Sequence, residues 1–234
     1  MNTMPPLIFV DPQEVEQWTP HQIIRWAVDT YGSNLTMTSS FQQQSVVLLH
    51  IVSQVAPDLT IFFLDTGHHF AETLAFKTQV VKQFGLTNVR DIHPEMSLAE
   101  QNAKYGPDLP KTNPDLCCYL NKVQPLQKVM QQHRAWITGI RRDQSATRAN
   151  TPIIDIRSDG LIKIAPMATW THDDVWRYIE FHQLPRHPLY AQGYKSIGCA
   201  PCTRPIKAGE GERAGRWAGK KKSECGLHTV FRVR

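Results

Sequence analysis

Short apolar segments alternate with polar turns along most of the chain. They predict strands at residues 34–40, 60–64, 88–92, 136–139 and 161–164. Helical spacing predicts helices ending near residue 32 and over residues 43–55, 69–84, 116–132 and 171–182, the last of them capped by Thr171. Residues 105–115 contain three prolines and are predicted to form a loop. Strands alternating with helices indicate an α/β fold with a parallel, doubly wound sheet.

Proline and glycine recur from residue 184 onward, and regular structure is expected to be sparse there. We therefore predict a core domain over residues 1–190 and a C-terminal segment, residues 191–234, that folds back on it. The apolar runs are four residues or shorter, against the roughly 20 needed to cross a bilayer. The first 18 residues lack the features of a signal peptide, which predicts a cytoplasmic protein with no membrane partner.

The positive charge of the chain is concentrated in its last part. Residues 203–234 contain nine basic and three acidic residues, a net charge of +6, so the other 202 residues of the chain sum to −1. This distribution predicts an anionic ligand near the C-terminal segment. A nucleic-acid-binding arm would have the same charge, but the order of Gly, Trp, Cys and His residues here is too specific for a generic arm.

Two predicted strand ends contain polar residues suited to a ligand. The segment containing Ser39, Ser40 and Ser45 leads from a strand into a helix, where hydroxyls and free amides could bind phosphate or sulfate, or form an ordinary helix cap. Asp65 follows the next strand and could bind a ligand or belong to a simple turn.

A third strand end is rich in arginine. Arg141, Arg142 and Arg148 follow the strand at 136–139, and Asp143 is the one acidic residue among them. Guanidinium groups bind phosphate oxygens in pairs, so this loop is a candidate phosphate site. A solvated charged loop is the alternative.

Four of the five cysteines form two doublets, Cys117-Cys118 and Cys199-x-x-Cys202. In a reducing compartment, four such thiols indicate a metal site rather than disulfides. The spacing is compatible with zinc and with a [4Fe–4S] cluster. Lys122, four residues after Cys118, is predicted to share its helix face, unless it is an ordinary surface lysine.

Cys225 stands apart from the doublets. Arg213, Arg216 and Lys222 precede it, and cationic neighbours favour the nucleophilic thiolate. Glycines in this segment would let the thiol move between a substrate and a partner. A bystander cysteine near a chain end is the alternative.

Together these motifs resemble the assimilatory APS (adenosine 5'-phosphosulfate) and PAPS (phosphoadenosine 5'-phosphosulfate) reductases of the iron–sulfur type. The resemblance runs from about residue 34 to 228. The matching stretches include Leu64-Asp65-Thr66-Gly67, both cysteine doublets, residues 139–145, residues 188–190, residues 213–217 and Glu224-Cys225-Gly226-Leu227-His228. One departure is Gln42, because the family has glycine at this position of its phosphate loop.

The resemblance implies an adenine-nucleotide alpha hydrolase-like sheet, related to the ATP pyrophosphatases, with a flexible catalytic tail. It implies thioredoxin-dependent reduction of APS to sulfite and AMP through S-sulfocysteine at Cys225, with one [4Fe–4S] cluster per chain, in sulfate assimilation and cysteine biosynthesis. The implied cluster ligands are Cys117, Cys118, Cys199 and Cys202. The residues implied around the sulfate are Lys122, Arg213, Arg216 and His228, and those implied around the nucleotide are Ser39, Ser40, Ser45, Asp65, Arg141 and Arg148.

The implied partner is thioredoxin or a similar dithiol, and no nucleic-acid partner is expected. The chain could also form a homo-oligomer. The alternatives are PAPS or dual specificity, an ATP-dependent tRNA sulfur transferase, and a zinc-binding module without catalysis. Tight, salt-dependent RNA binding would favour the transferase. Zinc without inorganic sulfide would favour the binding module.

Overall fold

A computed structural model of the chain describes residues 10–227. Six strands form one sheet: β1 (Leu35–Thr38), β2 (Ile61–Leu64), β3 (Val89–Ile92), β4 (Ala135–Ile137), β5 (Ile154–Ile156) and β6 (Ile162–Ile164). They lie in the order β3-β2-β1-β4-β6-β5. Neighbouring strands pair in parallel except β5, which runs antiparallel to β6. The predicted α/β fold with a parallel sheet is confirmed.

Helices connect and cover the strands. The α-helices of residues 10–227 are α1 (Pro12–Val15), α2 (Pro20–Tyr31), α3 (Ser45–Val55), α4 (Ala71–Phe84), α5 (Leu98–Tyr105), α6 (Leu109–Thr112), α7 (Pro114–Cys118), α8 (Gln124–Met130), α9 (His172–Phe181) and α10 (Pro188–Ala191). A π-helical turn, Tyr119–Val123, joins α7 to α8. Thr171 caps α9 as predicted, because its hydroxyl accepts a hydrogen bond from the Asp174 amide at 3.2 Å.

The two faces of the sheet bury different sets of side chains. Met37, Phe63 and Ile137 belong to the larger core, which also contains buried residues of α2, α3 and α9. Alternation along the strands turns Phe62 and Trp136 to the other face, where a smaller core includes residues of α8. Both faces are therefore covered, as a largely parallel sheet requires.

Several segments differ from the sequence-based prediction, among them residues 98–105, which form α5 although no element was predicted there. Residues 105–115, predicted to be loop, include α6 and the start of α7. Pro110 and Pro114 lie in the first turns of these helices, where the missing amide costs no hydrogen bond. Strand β5 was not predicted: it lies at the edge of the sheet, and none of its three residues is buried.

The strand order changes direction between β1 and β4. β2 and β3 extend from one side of β1, while β4, β6 and β5 extend from the other. In open α/β sheets, ligands bind at such a switch point, outside the carboxyl ends of the strands. The loops that follow β1 and β4 are therefore expected to form the site.

The C-terminal segment packs against the loops at this end of the sheet. The Ala200 amide donates to the His68 carbonyl at 2.8 Å, and Lys220 Nζ donates to the Pro110 carbonyl at 3.2 Å. The division of the chain at residue 190 stays a prediction. None of the helices between residues 10 and 227 combines the length and hydropathy that a bilayer crossing requires.

Candidate active site

A cavity opens at the switch point, between the loops that follow β1 and β4 and the C-terminal segment. The residues predicted from sequence that line it are Ser39, Ser40, Ser45, Lys122, Arg148, Arg213, Arg216 and Cys225, together with Cys199. Side chains that are far apart in the sequence, such as Ser39 and Cys225, therefore face the same space. Cationic groups and a thiol share this cavity with the N-terminal end of a helix.

The loop after β1 presents hydroxyls and the start of α3 to the cavity. Ser40 Oγ and Ser45 Oγ lie 3.0 Å apart, and Ser39 Oγ accepts a hydrogen bond from the Phe41 amide at 3.1 Å. No side chain caps the N-terminus of α3. The Ser45 amide donates to the Gln42 carbonyl at 2.9 Å, but the amides that follow it in the first turn have no side-chain cap and can meet an anion, and the helix dipole adds a favourable field.

The loop after β1 adopts its turn without a glycine at Gln42, the position where the resemblance implies one. Phe41, fully buried, takes the left-handed conformation with φ 49°, whereas Gln42 is not among the described residues with positive φ. A side chain at Gln42 therefore brings no backbone strain. The unfavourable backbone conformation is instead at Phe41. The ring of Phe41 packs edge-on against Phe63 with centroids 5.8 Å apart.

Arg141 does not line this cavity. Its side chain is only 1% exposed, and its guanidinium binds both carboxylate oxygens of Asp143, at 3.0 and 3.2 Å. It also donates to Gln44 Oε1 at 2.6 Å, while Gln44 Nε2 donates to Glu212 at 3.3 Å. Arg141 thus fixes the loop after β1 through Gln44, and it is placed to act on a ligand indirectly.

The other two arginines of this loop also have carboxylate partners. Arg142 binds Glu16 with two hydrogen bonds of 2.9 and 2.5 Å, away from the residues that line the cavity. Arg148 lines the cavity and binds Glu224, next to Cys225, at 3.1 and 2.7 Å. The three arginines therefore differ in role, although the sequence gives them the same setting.

Asp65 lies at the end of β2 but is not among the residues that line the cavity. Its carboxylate accepts a hydrogen bond from the Gly67 amide at 3.0 Å, which is the simple-turn alternative. Gly67 takes φ 69° and Leu98 packs close to it, so the turn favours glycine. The structure does not bring Asp65 together with the other predicted ligand-binding residues.

The four cysteines of the doublets line one small enclosure beside the main cavity. Cys117 and Cys118 end α7, and Cys199 and Cys202 bracket a 3₁₀ turn, Ala200–Cys202. Lys122, Arg216 and Trp217 complete the wall. Cys199 and Lys122 also line the main cavity, so the two spaces share a partition.

The structure does not bring the thiols as close together as a single-ion site would. Among the described residues, no three cysteine sulfurs lie within 4.8 Å of one another. A zinc ion with four sulfur ligands at about 2.3 Å holds those sulfurs roughly 3.8 Å apart. The four thiols surround a common space without converging on a single point.

Two buried N–H groups in this wall also have no protein partner. Arg216 Nε and Trp217 Nε1 are both enclosed and make no hydrogen bond within the described chain. Arg216 fits there because Gly198 has no side chain: a Cβ would lie 2.2 Å from its guanidinium. Buried donors normally have acceptors, and a sulfur-rich anionic group between the cysteines would supply them.

Electrostatic contacts link the thiols to Lys122. Burial raises the pKa of Cys117 to about 11 and that of Cys118 to about 12. Burial acts the same way on Cys199, but Lys122 and the Thr66 hydroxyl, 3.4 Å from its sulfur, outweigh it and lower the pKa. Burial by itself would lower the pKa of Lys122. The neighbouring sulfurs of Cys199, Cys225 and Cys118 outweigh burial and raise it. Because the raised pKa values keep the thiols of Cys117 and Cys118 protonated, metal binding there would release protons.

Cys225 is partly exposed and faces the main cavity from the C-terminal segment. On its N-terminal side, Glu224 binds Arg148, and its carboxylate lies 3.3 Å from Arg213 Nη2. The Arg213 guanidinium also donates to the Ser223 carbonyl at 2.8 Å. His228, predicted to lie near the sulfate, falls outside the described residues.

Some residues of the site were not predicted. Gln44, Gln144 and Glu212 line the cavity and connect the loops after β1 and β4 to the C-terminal segment. Nothing in their local sequence distinguishes them from other polar loop residues. Glu224 and Trp217 had a signal, because both belong to stretches that match the family.

Comparison with known proteins shows which proteins this chain is similar to in sequence. A model of the phosphoadenosine phosphosulfate reductase domain matches residues 34–205. The chain is 46% identical over 217 residues to an adenosine 5'-phosphosulfate reductase of Streptomyces coelicolor, covering 92% of this chain and 91% of that protein. It is 44% identical to a phosphoadenosine 5'-phosphosulfate reductase of Gloeobacter violaceus, covering 91% and 90%.

Solved structures agree. A phosphoadenylyl-sulfate reductase from Candida auris, in a phosphate complex, superposes with a TM-score of 0.71 at 31% identity, covering 81% of this chain and 92% of that one. An FMN adenylyltransferase of Candida glabrata, 14% identical with a TM-score of 0.59, shares the fold; it covers 85% of this chain and 69% of that one. The predicted adenine-nucleotide alpha hydrolase-like fold is confirmed. The chain is an enzyme that belongs to the family of APS and PAPS reductases.

Proposed function

We propose that this enzyme reduces APS to sulfite and AMP in sulfate assimilation, through a covalent S-sulfocysteine on Cys225. The observation that carries the proposal is the position of Cys225, which faces a cavity shared with Lys122, Arg213, Arg216 and the uncapped start of α3. A thiol nucleophile and an anion-binding helix end therefore face the same space. The relatives named APS reductases support the choice of substrate.

The nucleotide part of the substrate is expected at the switch point. The hydroxyls of Ser39, Ser40 and Ser45 and the uncapped amides of α3 can donate hydrogen bonds to the phosphate, and Arg148 adds a positive charge in the same cavity. Arg141 and Asp65, which the resemblance implies as nucleotide ligands, would act at most through neighbouring residues. In the proposed complex, the phosphate of the nucleotide binds Arg148 either together with Glu224 or in its place.

The sulfonate group is expected beside Lys122, Arg213 and Arg216. In the first step the Cys225 thiolate attacks the sulfur, an S–S bond forms, and the bond from sulfur to the bridging oxygen breaks. AMP leaves with that electron pair. Attack of one anion on another needs local positive charge, and fixed cations that stabilise developing charge are worth several kcal/mol. His228 is proposed as a further member of this group.

A dithiol partner completes the reaction. Its thiolate attacks Cys225 Sγ, releases sulfite with the electron pair of the S–S bond, and forms a mixed disulfide. Its second thiol then displaces Cys225 and leaves the partner oxidised, so the partner supplies both electrons. Thioredoxin is the proposed partner. The five cysteines are all free, which supports a reducing, cytoplasmic setting.

Cys117, Cys118, Cys199 and Cys202 are proposed to hold one [4Fe–4S] cluster. Two observations on the described residues support a cluster over a single zinc ion: no three of these sulfurs lie within 4.8 Å of one another, and Arg216 Nε and Trp217 Nε1 have no acceptor. When bound, it would supply a polarisable anionic group that orders the wall between the two cavities. Lys122, in that wall, would hold its positive charge toward both the cluster and the Cys225 thiol.

Sulfite release tests the proposed substrate. Anaerobically purified protein, supplied with thioredoxin, thioredoxin reductase and NADPH, should release sulfite from APS with a higher kcat/KM than from PAPS. PAPS is the second candidate, because two of the similar proteins are named for it. No sulfite from either nucleotide, or ATP consumption in its place, would contradict the proposal.

Arg148→Ala is expected to weaken AMP binding about ten- to a hundredfold. The variant loses a charge-assisted hydrogen bond of roughly 1.5–3 kcal/mol to the phosphate. Isothermal titration calorimetry with AMP measures the effect, and Arg142→Ala is the matched control, since Arg142 pairs with Glu16 away from the cavity. Equal AMP affinity of the two variants would mean that Arg148 serves only Glu224.

A further inference from the structure

The two residues on either side of the Cys225-Gly226 pair are held by different forces. Before it, the Glu224 carboxylate binds the Arg148 and Arg213 guanidinium groups at 2.7 and 3.3 Å. After it, the partly buried Leu227 packs on the smaller core, which covers the second face of the sheet, and it also borders the main cavity. The members of that core are Phe62, Ile92, Leu126, Met130, Trp136 and Leu161.

Gly226 makes this double attachment geometrically possible. Its φ of 89° lies in the left-handed region, which side chains disfavour. The chain therefore turns sharply after Cys225. One side of the turn carries Glu224 to the arginines, and the other carries Leu227 to the sheet.

We infer that Leu227 is a positioning residue, which seats the Cys225 thiol in the cavity by inserting its side chain against the smaller core. The inference rests on the proposed function, because it assigns to Leu227 the placement of the proposed nucleophile. It concerns no contact of Leu227 with the reacting atoms. Its effect is to raise the fraction of molecules in which the thiol faces the substrate.

The apolar contact is needed because the ionic one competes with the substrate. Arg148 and Arg213 line the cavity, so the anionic groups of a bound sulfonucleotide would engage the same guanidinium groups that hold Glu224. The attachment through Glu224 therefore weakens when substrate binds. The contact of Leu227 involves no charge, so it persists with substrate bound and at high salt.

Single-turnover kinetics on the full-length, cluster-loaded protein test the inference. Leu227→Ala should form the S-sulfo adduct about tenfold more slowly than the parent at saturating APS, since it loses most of its apolar contact area. Leu227→Met, which keeps that area, should restore the rate. Adduct formation is followed by quenching and mass spectrometry without any reductant.

Two further readouts separate positioning from a general structural role. AMP affinity should fall far less than the rate of adduct formation, because Leu227 offers the cavity no charged or hydrogen-bonding side-chain group. Alkylation of Cys225 by iodoacetamide at high salt, which screens the ion pairs of Glu224, should be faster in Leu227→Ala than in the parent, because the segment that carries the thiol then has no second attachment. Release of sulfite from the preformed adduct by dithiothreitol should not be slower.

The inference is overturned if Leu227→Ala forms the adduct at the parent rate. It is also overturned if Leu227→Met is as slow as Leu227→Ala, or if AMP affinity falls in step with the rate. If the parent itself forms no adduct, the proposed function fails. If the parent and Leu227→Ala form the adduct at the same rate, the role of Leu227 is refuted while the proposed function stands.

Discussion

A Cys225→Ser variant is expected to bind the sulfonucleotide and release no sulfite. A serine hydroxyl is far less ionised than a thiol at neutral pH, and it is a much weaker nucleophile toward sulfur. The substitution is nearly isosteric, so the ionic contacts of Glu224 beside it should persist. Sulfite assayed with thioredoxin or dithiothreitol should stay at background, while calorimetry with AMP gives the parent affinity.

The same variant is a control for the metal site. Cys225 lines the main cavity and not the enclosure formed by the other four cysteines, so its loss should leave the iron content unchanged. A Cys225→Ser variant that releases sulfite at the parent rate would show that another group is the nucleophile. Loss of iron from this variant would place Cys225 among the metal ligands.

Replacement of any one of Cys117, Cys118, Cys199 or Cys202 by serine is expected to remove the metal centre and the activity together. The anaerobically purified parent should be brown and contain about four iron and four sulfide per chain, the content of one [4Fe–4S] cluster held by four thiolates. Each variant loses one ligand of the four. Iron and acid-labile sulfide analysis, with the visible spectrum, measures the loss.

The shared wall gives the physical link between cluster and activity. Lys122 and Cys199 line both spaces, and Arg216 and Trp217 stand between the thiols and the main cavity. If loss of the cluster disordered this wall, the charged groups of Lys122 and Arg216 would therefore shift in the main cavity. A protein that contains zinc without sulfide, or an iron-free variant with full activity, would contradict the assignment.

The sequence was most informative about the sheet. The segments at residues 60–64 and 161–164 are confirmed as strands β2 and β6. β2 is continuously apolar, as a buried parallel strand requires, whereas β6 contains Lys163 between two buried isoleucines. β5 lacked a comparable signal, because Asp155 separates its two isoleucines and none of its three residues is buried. The prolines near residue 110 indicated a loop, whereas in the structure they begin helices.

The candidate site was predictable where a motif was local. The two cysteine doublets were identified from spacing, and the structure brings all four thiols to one enclosure. Arg141 shows the limit of this reasoning. Its neighbourhood in the sequence resembles that of Arg148, and only the fold reveals that Gln44 and Asp143 enclose it.

Contacts between distant parts of the chain explain the rest. Gln44 meets Glu212 across 168 positions, and Glu224 meets Arg148 across 76. No spacing rule connects such pairs, since their proximity depends on the path of the C-terminal segment over the sheet. The seat of Leu227 on the smaller core is a contact of the same kind.

Mass spectrometry of the protein after incubation with APS and no reductant tests the central claim most directly. The proposed mechanism predicts that the chain gains one sulfonate group, located by peptide mapping on Cys225 and released as sulfite when reduced thioredoxin is added. A sulfonate on any other residue, or sulfite formed without a covalent adduct, would contradict it.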